Sequence, residues 1–177
     1  VRRIRSRRAG NVELLNRVSM YLHQARTFLI LTEAISLDTY QKLKEDLILS
    51  TYAFHIIELI YKLTAENQEN RILYTELVEV LQRLSRNPRQ ILVRAFEVKV
   101  LTNLGFVSFR EIRGFGEVRG EIQAILEKLE VLPWDGIEKL KINGKEALEL
   151  EQVLRYHVER VIEGRLKSRQ MLGKIYG

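Results

Sequence analysis

The spacing of apolar side chains changes at residue 38, and that change divides the chain. In NVELLNRVSMYLH, Val12, Leu14, Val18, Met20 and Leu22 alternate with Glu13, Arg17, Ser19 and His23, with Leu15 and Tyr21 as exceptions. A repeat of two is the signature of a strand with one buried face. QAR then offers a turn, and TFLILTEA a second run rich in strand formers. Two strands alone are marginally stable in water, so this segment needs more sheet or must lean on the helices of the chain.

After residue 38 the repeat is helical. Asp38 and Gln41 have the spacing of a capping box, and Leu43, Leu47, Tyr52, Phe54, Ile57 and Leu63 lie along one long helix ending near Thr64. AENQEN is a polar connector. A second helix runs from about Arg71 to Leu84, with Leu73, Leu77, Val80, Leu81 and Leu84 on one face. Asn87 and Pro88 predict the start of a third helix, which carries Ile91, Leu92, Ala95, Phe96, Val98 and Leu101 and stops at Gly105. VSFREIRGFGEVRG reads as irregular, residues 121–129 as a short helix, and LPWDG and KLKING as turns. Residues 145–162 read as a last long helix, interrupted at Gly164. The expected fold is mainly α: a small β segment at 1–36, then a helical bundle over 37–177.

Composition removes whole classes of chemistry. At 46% apolar the chain is not a disordered one, and it contains no cysteine, so thiolate nucleophiles, disulfides and Cys-based zinc sites are excluded. No apolar run approaches the ~20 residues of a membrane-spanning helix. His23, His55 and His157 are far apart, without the i, i+4 spacing of a helical metal pair, and read as surface or partly packed histidines. GFGEVRG is no phosphate loop: Gly114, Gly116 and Gly120 have the wrong spacing for the dinucleotide fingerprint, and no strand precedes them. Glu58 reads as a helix-edge partner for Lys62. No nucleophile–base set or paired carboxylate site can be assembled, so the chain reads as a non-enzyme without cofactor.

Charge points to a partner. The net charge is +6, concentrated at the two ends: residues 1–36 hold seven arginines against two glutamates, while the middle of the chain is mildly acidic. Arg2, Arg3, Arg5, Arg7 and Arg8 fall in VRRIRSRR without one interleaved acid. Arginine presents a planar fork suited to phosphate oxygens, and such clustering marks a polyanion-binding face. RLKSRQMLGK adds Arg165, Lys167, Arg169 and Lys174, which also suit a helix C-terminus.

Four stretches, in order, resemble the bacterial recombination mediator family RecO. RRIRSRRAGNVELLNRVSMYLH followed by LTEA resembles the segment leaving that family's N-terminal OB barrel. STYAFHIIELIYKLTAENQENRILYTELVEVL resembles its first long helices, RQILVRAFEVKVLTNLGF its "RAFELKLL…LGF" helix, and RLKSRQML its "LKS" ending. The resemblance implies that residues 1–36 are the last strands of a truncated OB domain, cut from a longer protein upstream of Val1. Residues 37–177 are then the helical C-terminal domain. It implies a cytoplasmic, nucleoid-associated protein that binds single- and double-stranded DNA and anneals complementary strands. It also implies work with RecR, recognition of the acidic C-terminal tail of single-stranded-DNA-binding protein, and help in loading RecA. Many members carry a four-cysteine zinc module after the LGF helix; here FVSFREIRGFG stands in its place, and packing must hold that region.

On this reading the DNA-phosphate candidates are Arg2, Arg3, Arg5, Arg7 and Arg8, flanked by Arg17 and Arg26. Tyr21 and Phe28 are candidates for stacking on bases, with packing the stronger expectation for Phe28. Arg94, Lys99, Arg155 and Arg165 are the candidates for edging a cleft for the acidic tail. The alternative is a helical interaction module that docks RecR or the tail without binding DNA, its arginines merely solvated.

Overall fold

A computed structural model describes residues 11–66, 68–110 and 120–162. The five N-terminal arginines, Gly114, Gly116, Gly164 and the RLKSRQML ending lie outside the described residues.

The N-terminal segment forms an antiparallel hairpin, β1 (Arg17–Gln24) and β2 (Leu29–Asp38). The Ala25 N–H donates to the Phe28 carbonyl at 3.0 Å, closing the loop where QAR predicts a turn. Val18 opposes Ser36, Met20 opposes Ala34 and Leu22 opposes Leu31, with a register shift between Tyr21 and Leu22. The alternation predicts one buried face. Instead Met20 and Leu22 on one face and Tyr21 and Ile35 on the other are all exposed. An alternating pattern assigns residues to faces; it does not supply the layer that covers one of them. Ala34 is the strand residue that is buried, and upstream the buried apolar side chain is Leu15, an exception to the alternation. Leu15 sits in a turn with φ 62°, a left-handed backbone that a leucine adopts only under constraint.

The helical part begins differently from expectation. Asp38 ends β2, and its carboxylate accepts from the Tyr40 N–H at 2.9 Å. The expected single helix over 38–64 is two: α1 (Gln41–Glu45) and α2 (Leu47–Leu63). Asp46 breaks them, because its extended backbone lets its carboxylate accept from the Ile48 and Leu49 N–H groups at 2.8 and 2.9 Å. α3 (Arg71–Arg86) is capped by Asn70, whose side chain accepts from the Leu73 N–H. Asn87, the expected cap of the third helix, terminates α3 instead: its N–H donates to the Arg83 carbonyl at 2.8 Å. The third helix, α4 (Gln90–Asn103), starts after Arg89.

α4 is the axis of the bundle. Ile91, Leu92, Val93, Ala95, Phe96, Val98, Val100 and Leu101 are all buried, so the helix is enclosed on every side. α2, α3, α5 (Gly120–Val131), α6 (Trp134–Lys139) and α7 (Gly144–Ile162) pack around it. α4 ends as expected at Gly105. With φ 75° it lets its own N–H reach the Thr102 carbonyl and the Phe106 N–H reach that of Leu101, both at 2.9 Å. LPWDG has the composition of a turn, yet α6 forms there. The Gly136 and Ile137 N–H groups bond the Pro133 carbonyl, while Trp134 and Ile137 are drawn into the core. α7 opens with a reciprocal box: the Glu146 N–H donates to Asn143 Oδ1 at 2.9 Å, and the Asn143 N–H to Glu146 Oε2 at 2.7 Å.

The segment after Gly105 is held by packing. Phe109 is buried edge-on to His157, with ring centroids 5.4 Å apart. Glu130 Oε2 accepts from the Phe109 and Arg110 N–H groups, and the Gln123 side-chain amide donates to the Phe109 carbonyl.

Candidate nucleic-acid interface

The hairpin carries the part of the expected DNA-binding set that falls within the described residues. Arg26 lies exposed in the loop between β1 and β2. Tyr21 is 56% exposed and Phe28 63% exposed. Phe28 is therefore not the packing residue that its type suggests. It sits in the loop, where no second layer among the described residues reaches it. Exposed aromatic rings beside a cation are the elements that stack on bases and meet phosphates.

Arg17 has a different setting. Its Nε donates to the Tyr74 hydroxyl at 3.0 Å, and its guanidinium lies 5.8 Å from the centre of that ring. The hydrogen bond to Tyr74 raises the arginine's pKa above its ordinary value. Arg17 thus ties the root of the hairpin to α3. Lys44, which donates to Asn16 Oδ1, adds a second tie, and Leu15 and Tyr40 join the core beneath. Burial first, and then the Asp38 carboxylate, push the Tyr40 phenol up to about 12.

The residues expected to edge a cleft for an acidic tail do not meet. Arg94 is 5% exposed; it donates to both Glu97 oxygens at 3.0 and 2.8 Å and lies 3.2 Å from Glu151. Burial works against its charge, but Glu97 and Glu151 outweigh that and raise its pKa. Lys99, five residues on, points about 140° away round α4. It lies over the Trp134 ring at 5.6 Å and near Glu76 at 3.9 Å. Arg155 is half-exposed and paired with Glu151 at 3.0 Å. Arg165 lies outside the described residues. Arg94 and Lys99 are committed to the bundle, so of these four only Arg155 offers a described cation at the surface.

Behind Arg94 is a buried polar chain that sequence reasoning missed. His55 on α2 and Glu97 on α4 are 1% and 0% exposed, and His55 Nε2 lies 2.6 Å from Glu97 Oε1. His55 reads in the sequence as a surface or partly packed histidine, although its apolar neighbours Ala53 and Ile56 carry the signal for burial. Among the described residues no group of His, Asp and Glu side chains could hold a metal ion.

The family model "Recombination protein O C terminal" matches residues 44–107, from α1 through α4 to just past Gly105. The chain is 33% identical to the DNA repair protein RecO of Pelotomaculum thermopropionicum over 57% of its own length and 40% of that protein's. It is 24% identical to the protein of the same name from Moorella thermoacetica, over all of this chain and 78% of that one. For the Symbiobacterium thermophilum protein the figures are 27% identity, 97% of this chain and 81% of that one.

This chain is similar to the RecO proteins.

The segment that matches the family model holds the centre of the bundle, since it includes all of α2, α3 and α4. The matched stretch spans less than half of the Pelotomaculum RecO. No solved structure matches the chain.

Proposed function

We infer that this chain is a DNA-binding repair and recombination mediator that breaks no covalent bond. The reading is carried by its similarity, along nearly its whole length, to proteins named DNA repair protein RecO. Two physical features support it. Positive charge is concentrated in residues 1–36, and Tyr21, Arg26 and Phe28 stand exposed on the hairpin. On this reading residues 1–36 are the last strands of an OB domain and residues 37–177 the helical domain. Arg2, Arg3, Arg5, Arg7, Arg8 and Arg26 meet phosphates, while Tyr21 and Phe28 stack on bases. Annealing of strands, docking to RecR, recognition of the acidic tail of single-stranded-DNA-binding protein and help in loading RecA belong to the same proposal. So does a cytoplasmic, nucleoid-associated location; among the described residues no helix is long and apolar enough to cross a membrane.

Fluorescence anisotropy of a labelled single-stranded oligonucleotide tests it. About five phosphate contacts predict roughly a hundredfold loss of affinity between ~50 and ~200 mM salt. Replacing Arg2, Arg3, Arg5, Arg7 and Arg8 by alanine should flatten that dependence. An intact chain that binds no oligonucleotide would leave the partner-docking module as the reading.

A further inference from the structure

We propose that the corner between α6 and α7 is a second phosphate-binding surface of this chain, built from Lys139, Lys141 and Lys145 with Arg86 beside them. The inference rests on the nucleic-acid reading of the hairpin and adds a site on the helical part.

The backbone aims these lysines outward. After α6 the chain runs extended through Leu140, at φ −63° and ψ 131°. Side chains then alternate: Leu140 and Ile142 pack against the core, and Lys139 and Lys141 face solvent. Two apolar anchors thus fix the direction of two cations. Lys145 stands in the first turn of α7, where the helix dipole disfavours a positive charge. The corner is held from behind by Arg89, whose guanidinium donates to the Glu138 carbonyl and, at 2.7 Å, to that of Leu140.

Neighbouring charges are already engaged. Arg83 holds Glu138 and Asp135 at 2.6 Å and Glu79 at 2.7 Å, and Glu146 is turned back to the Asn143 N–H. Arg86, exposed, lies between Arg83 and Arg89, both of which touch residues 138–140. Among the described residues no carboxylate pairs with Lys139, Lys141, Lys145 or Arg86. Exposed, unpaired cations gathered at one corner of a fold are an electrostatic footprint for a phosphate backbone.

The position distinguishes this surface from the hairpin. The hairpin is tied to α3 at Tyr74, while the lysine corner adjoins the other end at Arg86. Twelve residues of helix, about 18 Å, separate Tyr74 from Arg86. A chain with phosphate-binding surfaces at both ends of α3 can hold one strand along its length or two strands at once.

The test compares the intact chain, the Lys139→Gln/Lys141→Gln/Lys145→Gln variant and the Tyr21→Ala/Arg26→Ala/Phe28→Ala variant. Each is titrated with a labelled single-stranded oligonucleotide over a range of salt. The lysine variant should show a slope of log affinity against log salt that is shallower by about two. The three lysines changed to arginine should keep the parent slope, and all variants should melt with the parent. An unchanged slope in the glutamine variant, with binding lost in the hairpin variant, overturns the second surface and leaves the functional reading intact. An intact chain that does not bind the oligonucleotide overturns both. A lysine variant that keeps its oligonucleotide affinity but no longer binds poly-glutamate also overturns the inference, and makes the corner a dock for an acidic protein.

Discussion

Glu97 is the side chain on which most of the bundle's buried charge converges. It accepts from Arg94 through both oxygens and meets His55, all three nearly free of solvent. Removing one member of a buried, hydrogen-bonded ion pair leaves the other charge uncompensated. Glu97→Gln should therefore cost about 3–5 kcal/mol, read as a lowered urea midpoint with an unchanged slope. Arg94→Met in the Glu97→Gln background should cost less than it does alone, because the two side chains act as a unit. His157 gives a prediction in pH. Burial, and then Arg160, hold its pKa below the ordinary histidine value. The unfolded chain thus binds the proton more readily than the folded one, and stability falls as pH drops below about 6.5. Urea titrations between pH 7.5 and 5.5 should show a smaller decline for His157→Gln than for the parent.

Among the elements, the helices were legible where an apolar stripe repeated, and their ends were legible only where one side chain had no competing role. The stripe of α3 lies where the spacing of Leu73, Val80, Leu81 and Leu84 puts it, and α4 buries the Ile91, Leu92, Ala95, Phe96, Val98 and Leu101 expected of it. Gly105 ends α4 where its position predicts, since a left-handed residue there has few alternatives. Asp38, Asp46, Asn70 and Asn87 are all chemically competent caps, and pattern alone does not choose among them. β2 extends through Asp38, so the capping task passes to Asp46 and the expected long helix breaks in two. Asp46→Ala should destabilise the chain by about 1 kcal/mol in thermal or urea unfolding, having removed the acceptor for two N–H groups. α6 was missed because a proline, an aspartate and a glycine in LPWDG suggest a turn. The burial of Trp134, whose indole N–H meets Glu76 at 2.6 Å, is a tertiary fact that local sequence does not carry.

For the whole molecule, the helical core and the hairpin differ in how they are supported. α4 is surrounded on every side, whereas the hairpin is held at its root by Arg17, Asn16, Leu15 and Tyr40 and exposes side chains on both faces. Amide exchange should consequently be much faster over residues 17–33 than over residues 47–63 and 90–103, as mass spectrometry of exchanged fragments can measure. Comparable protection in the two regions would contradict this difference in support. Of the candidate interface, the exposed aromatics and Arg26 could be named from residue type and position. The commitment of Arg94 and Lys99 to the core could not, because it depends on how α4 is rotated among its neighbours. The lysines of KLKING read as part of a turn; their common outward direction comes from Leu140 and Ile142, which only the packed structure assigns to the inside.

The uncovered hairpin also bears on how this protein behaves in a concentrated solution. Among the described residues, Leu29, Ile30, Ile35 and Leu37 give β2 an apolar, β-prone surface on a sheet of two strands, both of which are edges there. Such a strand is a template for pairing with a second molecule, and natural chains restrain it with charge. Glu33 lies within the strand, and Asp38 ends it opposite Arg17. Colloidal stability should therefore depend on those few charges more than on the well-filled bundle, and clumping should begin at the hairpin while the helices are still folded.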